Sequence, residues 1–443
     1  MGGAERGAEA PPGTAGRIAG GLAGLAAGWA RESGPRTNEA SLALSLAESI
    51  LLRGFDPEDF GRRALARRGG REGGRDPLPW ILPASAWLAG LPEPARFRAL
   101  ASYAAQLCSR GPSFLAAWLH CLVAARLIGG LSPAEAYAAA AAEARAALPA
   151  LPEAARREAG AFSRILGGRL GELGRSELRG SGSAADCLEA ALWCLLSTGD
   201  LASCLLAAAA LGEEGGRTGA VAGGLAGLAY GRAALPGEWL ASLARAGEIE
   251  ELGPRLGELA ASAVPLPGSY WILPGKLLAG PYPYCPNQEE GEARLASLLD
   301  AGIGAFVDLT EPGETLRGRP VPPYAAELSR LAAAQGRAVE ALRVRIRDVS
   351  VPGPAALEEA LGAIDRLLAG GSSVYLHCLG GIGRTGTIAG SWLARRGLAA
   401  PGGEALGLIA AYRAWPGAPA SPETEEQREL VRAARPGPGA FET

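Results

Sequence analysis

The chain has 443 residues, 48% of them apolar and 20% charged, with 43 basic side chains against 46 acidic ones. At about 150 residues per domain this length points to two or three domains. A formal net charge of -3 excludes broad binding to nucleic acid or to an anionic membrane, which needs a basic excess. His120 and His377 are the only histidines, so a metal centre or phosphohydrolase built on several imidazoles is excluded as well. Seven cysteines run from Cys108 to Cys378 without a Cys-x-x-Cys pair. That pattern suits free thiols in a reducing compartment, and a cytoplasmic location is expected. Lys276 is the only lysine, and alanine and glycine are abundant throughout. Such a bias makes a Gly-rich stretch weak evidence of a linker or a phosphate loop.

Residues 1–15 carry no apolar periodicity and read as a disordered tail. From Gly16, the segment GRIAGGLAGLAAGWARES imitates a secretory leader, because Arg17 precedes a short apolar run. The run lacks the Leu/Phe content of a leader and reads instead as a buried Gly/Ala-rich helix. No uncharged apolar stretch reaches 18 residues, so no membrane span is expected. From about 37 to 262 the apolar period is helical. Leu42, Leu44, Leu46 and Ile50 to Leu52 form one run, broken at Gly54, and Asp56–Pro57 starts the next helix. Gly129–Gly130 separates two further helices, with Ser132 as N-cap and Pro133 at the first helical position. DCLEAALWCLLSTGD and LASCLLAAAALG continue the pattern, and no alternating β-branched run interrupts it. An all-α domain is expected over 16–262.

Near 265 the pattern changes. PLPGSYWILPGKLLAGPYPY sets Pro, Tyr and Trp in short runs, and GAFVDLT, RVRIR and SSVYLHC are compact strand candidates. Helical patterns lie between and after them: EARLASLLDAG, YAAELSRLAAAQG, ALEEALGAIDRLLAGG and TGTIAGSWLARRG. Alternating strands and helices predict an α/β domain over 263–437, with a central, mostly parallel sheet flanked by helices. Residues 438–443 look frayed.

The most informative segment runs from the last strand candidate through a Gly-rich loop into a helix: His377, Cys378, Leu379, Gly380, Gly381, Ile382, Gly383, Arg384, Thr385, Gly386. A loop of this length can curl so that a thiolate lies at its base and a guanidinium at its rim. Its amides then converge on an oxyanion, with the helix N-terminus behind them. The same amides and Arg384 favour the Cys378 thiolate. Thr385 can donate a hydroxyl hydrogen to the sulfur. This string resembles the Cys-x5-Arg signature loop of cysteine-dependent protein tyrosine and dual-specificity phosphatases, a likeness that extends over about 269–435. The resemblance implies that Cys378 is the nucleophile. Arg384 and the backbone of Leu379, Gly380, Gly381, Ile382 and Gly383 would bind phosphate, with His377 orienting the loop. It also implies a general acid on a loop about thirty residues upstream. Asp348 stands 30 positions before Cys378, followed by Ser350, Val351 and Pro352; Asp308, 70 positions upstream, is the lesser candidate. Gln427, in APASPETEEQRELV, resembles a late glutamine that places the hydrolytic water. The same segment also reads as a surface helix capped by Ser421 with Pro422 at its first position. A phosphorylated protein or a small phosphate ester is the expected substrate, and no cofactor or metal is expected.

The first domain resembles ADP-ribosylglycohydrolases through GRIAGGLAGLAAGWA, RTNEASLALSLAESILLRGFDPEDF, SRGPSFLAAWLHCLVAARLIGGLSPAEAY and GEEGGRTGAVAGGLAGLAYGRAALPGEWL. That family carries a binuclear magnesium site, and the departures fall on it. No Asp occurs in residues 16–30; Thr-Asp-Asp-Thr appears as Thr37-Asn38-Glu39-Ala40, and Asp-x-Asp-Thr as Gly215-Gly216-Arg217-Thr218. Magnesium prefers an octahedral oxygen shell with carboxylates. Arg217 sets a cation there, leaving Glu39 and Thr218, with Glu213 and Glu214 as substitutes only under a shifted alignment. The domain is expected to be metal-free and inactive, either structural or a binding module for ADP-ribose or a nucleotide; the alternative reading is an ADP-ribosyl hydrolase in which this domain sets the function and the phosphatase is accessory. His120, in an apolar helix, is expected to be a core residue.

Overall fold

The computed structural model describes residues 13–33, 38–67, 76–93, 95–106, 114–178, 182–211, 215–243, 245–316 and 318–437, without the side chains of 31–33, 38–39 and 215. Residues 1–12 and 438–443 lie outside the described residues, as do Thr37, Glu213 and Glu214, whereas Thr14 and Ala15, read above as the end of a tail, already belong to the first helix.

Among the described residues, the first part of the chain is helical. It holds α1 (Thr14–Ser33), α2 (Asn38–Arg53), α3 (Pro57–Arg67), α4 (Leu82–Trp87), α5 (Ala95–Ala105), α6 (Phe114–Ile128) and α7 (Pro133–Ala147). The short α8 (Glu153–Glu158) and α9 (Ser163–Leu166) follow, then α10 (Ala184–Ser197), α11 (Leu201–Ala209), α12 (Gly215–Tyr230), α13 (Gly237–Ala241) and α14 (Ala246–Ala260). Local signals set the boundaries. The Asp56 carboxylate accepts the Asp59 amide at 2.9 Å at the start of α3. Ser132 and Glu135 close a reciprocal capping box on α7, with Pro133 at its first position.

Helix α1 is buried and runs along α12 with the two backbones in direct contact. A Cβ at Gly20, Gly24 or Gly28 would overlap the backbone of Gly227, Gly223 or Gly219. One face of α1 is therefore glycine at every fourth residue because nothing larger fits, and here the glycine content is structural rather than compositional noise.

The second part holds β1 (Tyr270–Leu273), β2 (Leu277–Gly280), α15 (Gln288–Asp300), β3 (Ile303–Asp308), a small hairpin β4 (Thr315–Leu316) with β5 (Arg319–Pro320), and α16 (Ala325–Ala334). Then come β6 (Glu340–Arg343), α17 (Pro354–Ala369), β7 (Ser373–His377), α18 (Gly383–Arg395), α19 (Glu404–Tyr412) and α20 (Glu425–Ala433). The main sheet has the order β1-β2-β7-β3-β6; β1 pairs antiparallel with β2, and the other pairings are parallel. Strand alternation assigns the faces. Trp271, Leu278, Phe306 and Tyr375 point into a small core with α15 and α16. Ile272, Ala279, Val307 and Leu376 point into the larger core with α17 and α18. The predicted strand RVRIR is displaced: β6 runs Glu340–Arg343 and shares only Arg343 with it. The regular ladder stops at Arg343, because β3 itself ends at Asp308; only Val344 and Ile346 then bond singly to Asp308 and Leu309 before the chain turns.

The larger core continues without a break into the helices of the first part. Polar contacts mark the same seam. Lys276 Nζ donates to Leu51 O at 2.7 Å, Trp87 Nε1 to Pro274 O at 3.0 Å, and an Arg396 Nη to Phe55 O at 2.8 Å. No helix among the described residues is long and apolar enough to cross a membrane.

Candidate active site

Strand β7 lies between β2 and β3, and at its end the chain turns through Cys378 to Ile382 into α18. Cys378 is buried and its thiol is free. Gly381 has φ +68°, and a Cβ there would stand 2.5 Å from the carbonyl carbon of Gly280, so the loop lies against β2 at that point. Tyr282 N donates to Leu379 O at 3.0 Å, and Arg413, a buried side chain not singled out in the sequence, donates to Gly381 O at 3.0 Å.

His377 is fully buried among Tyr282, Tyr324 and Tyr375. Its Nε2 lies 2.7 Å from the Tyr324 hydroxyl and its Nδ1 3.3 Å from Cys378 O. Burial lowers its pKa below the ordinary histidine value, only partly offset by nearby Asp308. A neutral ring hydrogen-bonded to the loop backbone fits an orienting role.

Arg384 is 1% exposed at the second position of α18. Glu314, just before β4, receives two bonds from it, Nη1 to Oε1 at 2.5 Å and Nη2 to Oε2 at 2.8 Å. Nη1 also donates to Ile346 O at 2.9 Å, and Nη2 meets Asp348 Oδ1 at 2.8 Å. The Arg384 Nε–H is buried without a hydrogen-bond partner. Burial works against the charge, but the Glu314 bond and the neighbouring Cys378, Glu314 and Asp348 raise the pKa above the ordinary arginine value. Glu314 was not found by sequence reasoning. Its only signal there is a carboxylate six residues past the end of a strand.

The two aspartate candidates separate clearly. Asp348 sits on an exposed turn and reaches Arg384. Asp308 is buried at the end of β3, where its carboxylate accepts Thr310 N at 2.9 Å and Oγ1 at 2.6 Å, and Arg343 at 2.9 and 2.7 Å. Both its oxygens are committed to the scaffold.

Two sequence expectations need correction. The Thr385 hydroxyl, expected to bond the Cys378 sulfur, is buried in the first turn of α18 and makes no hydrogen bond. Ser421 does not cap a helix. Helix α20 begins at Glu425, Thr424 caps it in a box with Gln427, and the Ser421 hydroxyl donates to Ile382 O at 2.7 Å. Gln427 is not a surface residue: it is fully buried, and its Nε2 donates to Ser350 O at 2.9 Å.

In the first part, His120 is buried beside Ser85, and burial lowers its pKa to about 4. The Arg217 guanidinium pairs with the Asp76 carboxylate and donates to Gly182 O at 2.9 Å. The Thr218 hydroxyl donates to the Cys187 sulfur at 3.8 Å. The side chains of Asn38, Glu39 and Gly215 lie outside the described residues.

A family model described as ADP-ribosylglycohydrolase matches residues 8–265, more than half of the chain. The chain belongs to the ADP-ribosylglycohydrolase family. A second model, "Polymorphic toxin system, DSP-PTPase phosphatase", matches residues 286–398. An ADP-ribosylarginine hydrolase Tri1 of Pseudomonas putida (strain GB-1) is 35% identical over 92 residues, 21% of this chain and 25% of the relative. The Serratia proteamaculans (strain 568) protein of the same name is 36% identical over 92 residues, with the same shares. The chain thus spans about a quarter of the length of these curated relatives. Among solved structures, an ADP-ribosylglycohydrolase-related protein complex aligns with 56% of this chain and 99% of its own, at 26% identity and TM-score 0.44. A structure of Tk-PTP in the active form covers 38% of this chain and 95% of its own, at 29% identity and TM-score 0.29.

The two magnesium ions implied by the ADP-ribosylglycohydrolase resemblance do not suit the described residues at those positions: the Asp76 charge is matched by Arg217, and Thr218 is turned to a thiol.

Proposed function

We propose that the second domain is a cysteine phosphatase that hydrolyses phosphate monoesters through a phosphocysteine intermediate. The observation that carries this reading is the group around Arg384: a buried guanidinium with a free Nε–H, one residue into the helix that follows Cys378, touching Asp348 on its outer side. In the proposed first step the Cys378 thiolate attacks phosphorus and the ester oxygen leaves, taking the proton of Asp348. Arg384 and the amides of the loop, with the N-terminus of α18 behind them, hold the other phosphoryl oxygens. Binding of the dianion displaces the Asp348 carboxylate from Arg384 and frees it to face the ester oxygen. Water, deprotonated by the same Asp348, then cleaves the S–P bond and releases phosphate and the thiolate. No metal takes part. Leu379 and Ile382 bring no positive charge to the loop, which favours phosphoproteins or small phosphate esters over inositol polyphosphates.

Turnover of an aryl phosphate should survive chelator and vanish in Cys378→Ser. Abolition by chelator, or activity in Cys378→Ser, would overturn the mechanism. Faster turnover of phosphoinositides than of phosphotyrosine peptides would overturn the substrate assignment.

The first domain, on this reading, has no hydrolytic role and is a scaffold or an ADP-ribose or nucleotide binding module. The Arg217–Asp76 pair supports the loss of metal chemistry. Calorimetry of ADP-ribose with the full chain separates the two roles, and magnesium-dependent release of ADP-ribose from a modified substrate would refute both. We place the protein in the cytoplasm, where the six described cysteines, all free, would stay reduced.

A further inference from the structure

A glutamine that aims a hydrolytic water must offer its amide to solvent. Gln427 does not. Its Oε1 accepts Glu423 N at 3.1 Å and Thr424 N at 3.2 Å, which engages both lone pairs. Its Nε2 donates to Ser350 O at 2.9 Å, and the side chain has no exposed surface. The amide lies against the first residue of α18, where a Cβ on Gly383 would stand 3.0 Å from Oε1 and 3.1 Å from Nε2.

Ser350 closes the turn that carries Asp348. Both its amide and its hydroxyl donate to Arg347 O, at 3.3 and 2.7 Å. Val349, between Asp348 and Ser350, has φ +56°. A β-branched residue in the left-handed region is a costly conformation that persists only when its surroundings impose it. Two contacts straddle it here: Asp348 to Arg384 on one side, and Ser350 O to Gln427 on the other. The first must break when a phosphoryl group takes Arg384. The second does not involve the reacting groups.

We propose that Gln427 is a positioning residue that latches the Asp348 turn to the start of α18 and so keeps the general acid in place while Arg384 is engaged by substrate. The inference rests on the phosphatase reading above. It assigns Gln427 to holding Asp348, first as the ester oxygen leaves and again as water is deprotonated, rather than to contact with the hydrolytic water itself.

The test compares Gln427→Leu and Gln427→Glu with wild type on phenyl phosphate, whose leaving group needs a proton, and on 2,4-dinitrophenyl phosphate, whose leaving group hardly does. The Glu variant keeps size and cap but cannot donate to Ser350 O. The expected result is a loss of kcat/KM on phenyl phosphate at least tenfold larger than on the dinitrophenyl ester. No further selective loss is expected when either variant is combined with Asp348→Asn. Thermal melting identifies a misfolded Leu variant, in which case the Glu variant decides. A kcat/KM unchanged on both esters, with a lowered kcat and phosphocysteine building up after acid quench, would overturn the proposal in favour of water placement. Wild-type rates on both esters in a folded variant would overturn it too. Failure of the phosphatase reading is separate: Cys378→Ser would then keep turnover with either ester.

Discussion

Removing Glu314 should cost both stability and catalysis, by amounts that follow from its contacts. It gives Arg384 two charge-assisted bonds, at 2.5 and 2.8 Å, and the pair is 1% and 12% exposed. Asp348, the other carboxylate on this guanidinium, is 53% exposed, so water screens its contribution. Removing one member of a buried pair costs about 3–5 kcal/mol, because the other charge is left in a poor environment. The backbone carbonyls of Ile346 and Leu309 still accept from Nη1, which places Glu314→Ala near the low end, about 3 kcal/mol. Glu314→Gln keeps one acceptor oxygen and should lose roughly half as much. A guanidinium without its clamp no longer presents Nε and Nη2 in a fixed orientation. Losing one preorganised oxyanion donor costs on the order of 10²-fold in rate, and that is the expected fall in kcat/KM on an aryl phosphate.

Urea unfolding followed by fluorescence, with kcat/KM in the same buffer, tests both numbers. Because Glu314 acts through Arg384, its stability loss should shrink in an Arg384→Ala background. A Glu314→Ala protein that unfolds at the wild-type urea concentration and keeps kcat/KM within twofold would refute the clamp.

Three further outcomes are expected. His120 is buried with a pKa of about 4 against an ordinary 6.5, so the unfolded chain takes the proton first as pH falls. Its contribution is complete above pH 6.5 and is lost towards pH 4, about 3 kcal/mol in all. Wild type should therefore lose more stability than His120→Gln over that window in urea titrations, and parallel curves would contradict the burial argument. Gly24→Val should push α1 off the Gly223 backbone, at the upper end of overpacking costs, about 3 kcal/mol or more, and a variant with wild-type melting would show that α1 is not seated there. Residues 263–443 expressed alone should aggregate or melt well below the full chain, because part of their core is completed by the first domain; a soluble fragment with full activity would refute this.

The fold class follows from apolar periodicity, since both the helical run before 262 and the strand–helix alternation after 265 repeat over many elements. The signature loop was readable because its parts are contiguous, from His377 to Gly386. What escaped is what sequence distance hides. Glu314 meets Arg384 only because β3 and β7 are neighbours in the sheet, which brings the loops after them together. Arg413 reaches Gly381 from the far end of α19 in the same way. The helix cap was misplaced by three residues for a local reason. Ser421–Pro422 and Thr424-x-x-Gln427 are both start signals, and only the second supplies the reciprocal pair that closes the box. The glycines of α1 looked like compositional bias because their partners lie some 200 residues away in α12.

The elements that hold the signature loop are rooted in the first domain at their far ends. The turn between β1 and β2 is tied by Lys276 to Leu51 and by Trp87 to Pro274; β2 then runs up to meet Gly381. Helix α18 starts at the loop, and just past its end Arg396 donates to Phe55 O and lies over the Phe55 ring. Helix α19 begins at Glu404, paired with Arg98 at 3.0 Å, and is followed by Arg413, which holds Gly381 O. Buried Lys276 shows that the seam is specific: the lone lysine of the chain caps the last turn of α2, where carbonyl groups favour a cation. The first domain is therefore not idle. Its helices supply the fixed points from which β2, α18 and α19 position a loop that must hold a thiol and a guanidinium in register. A change in this helical domain far from Cys378 can reach the loop by moving one of those supports.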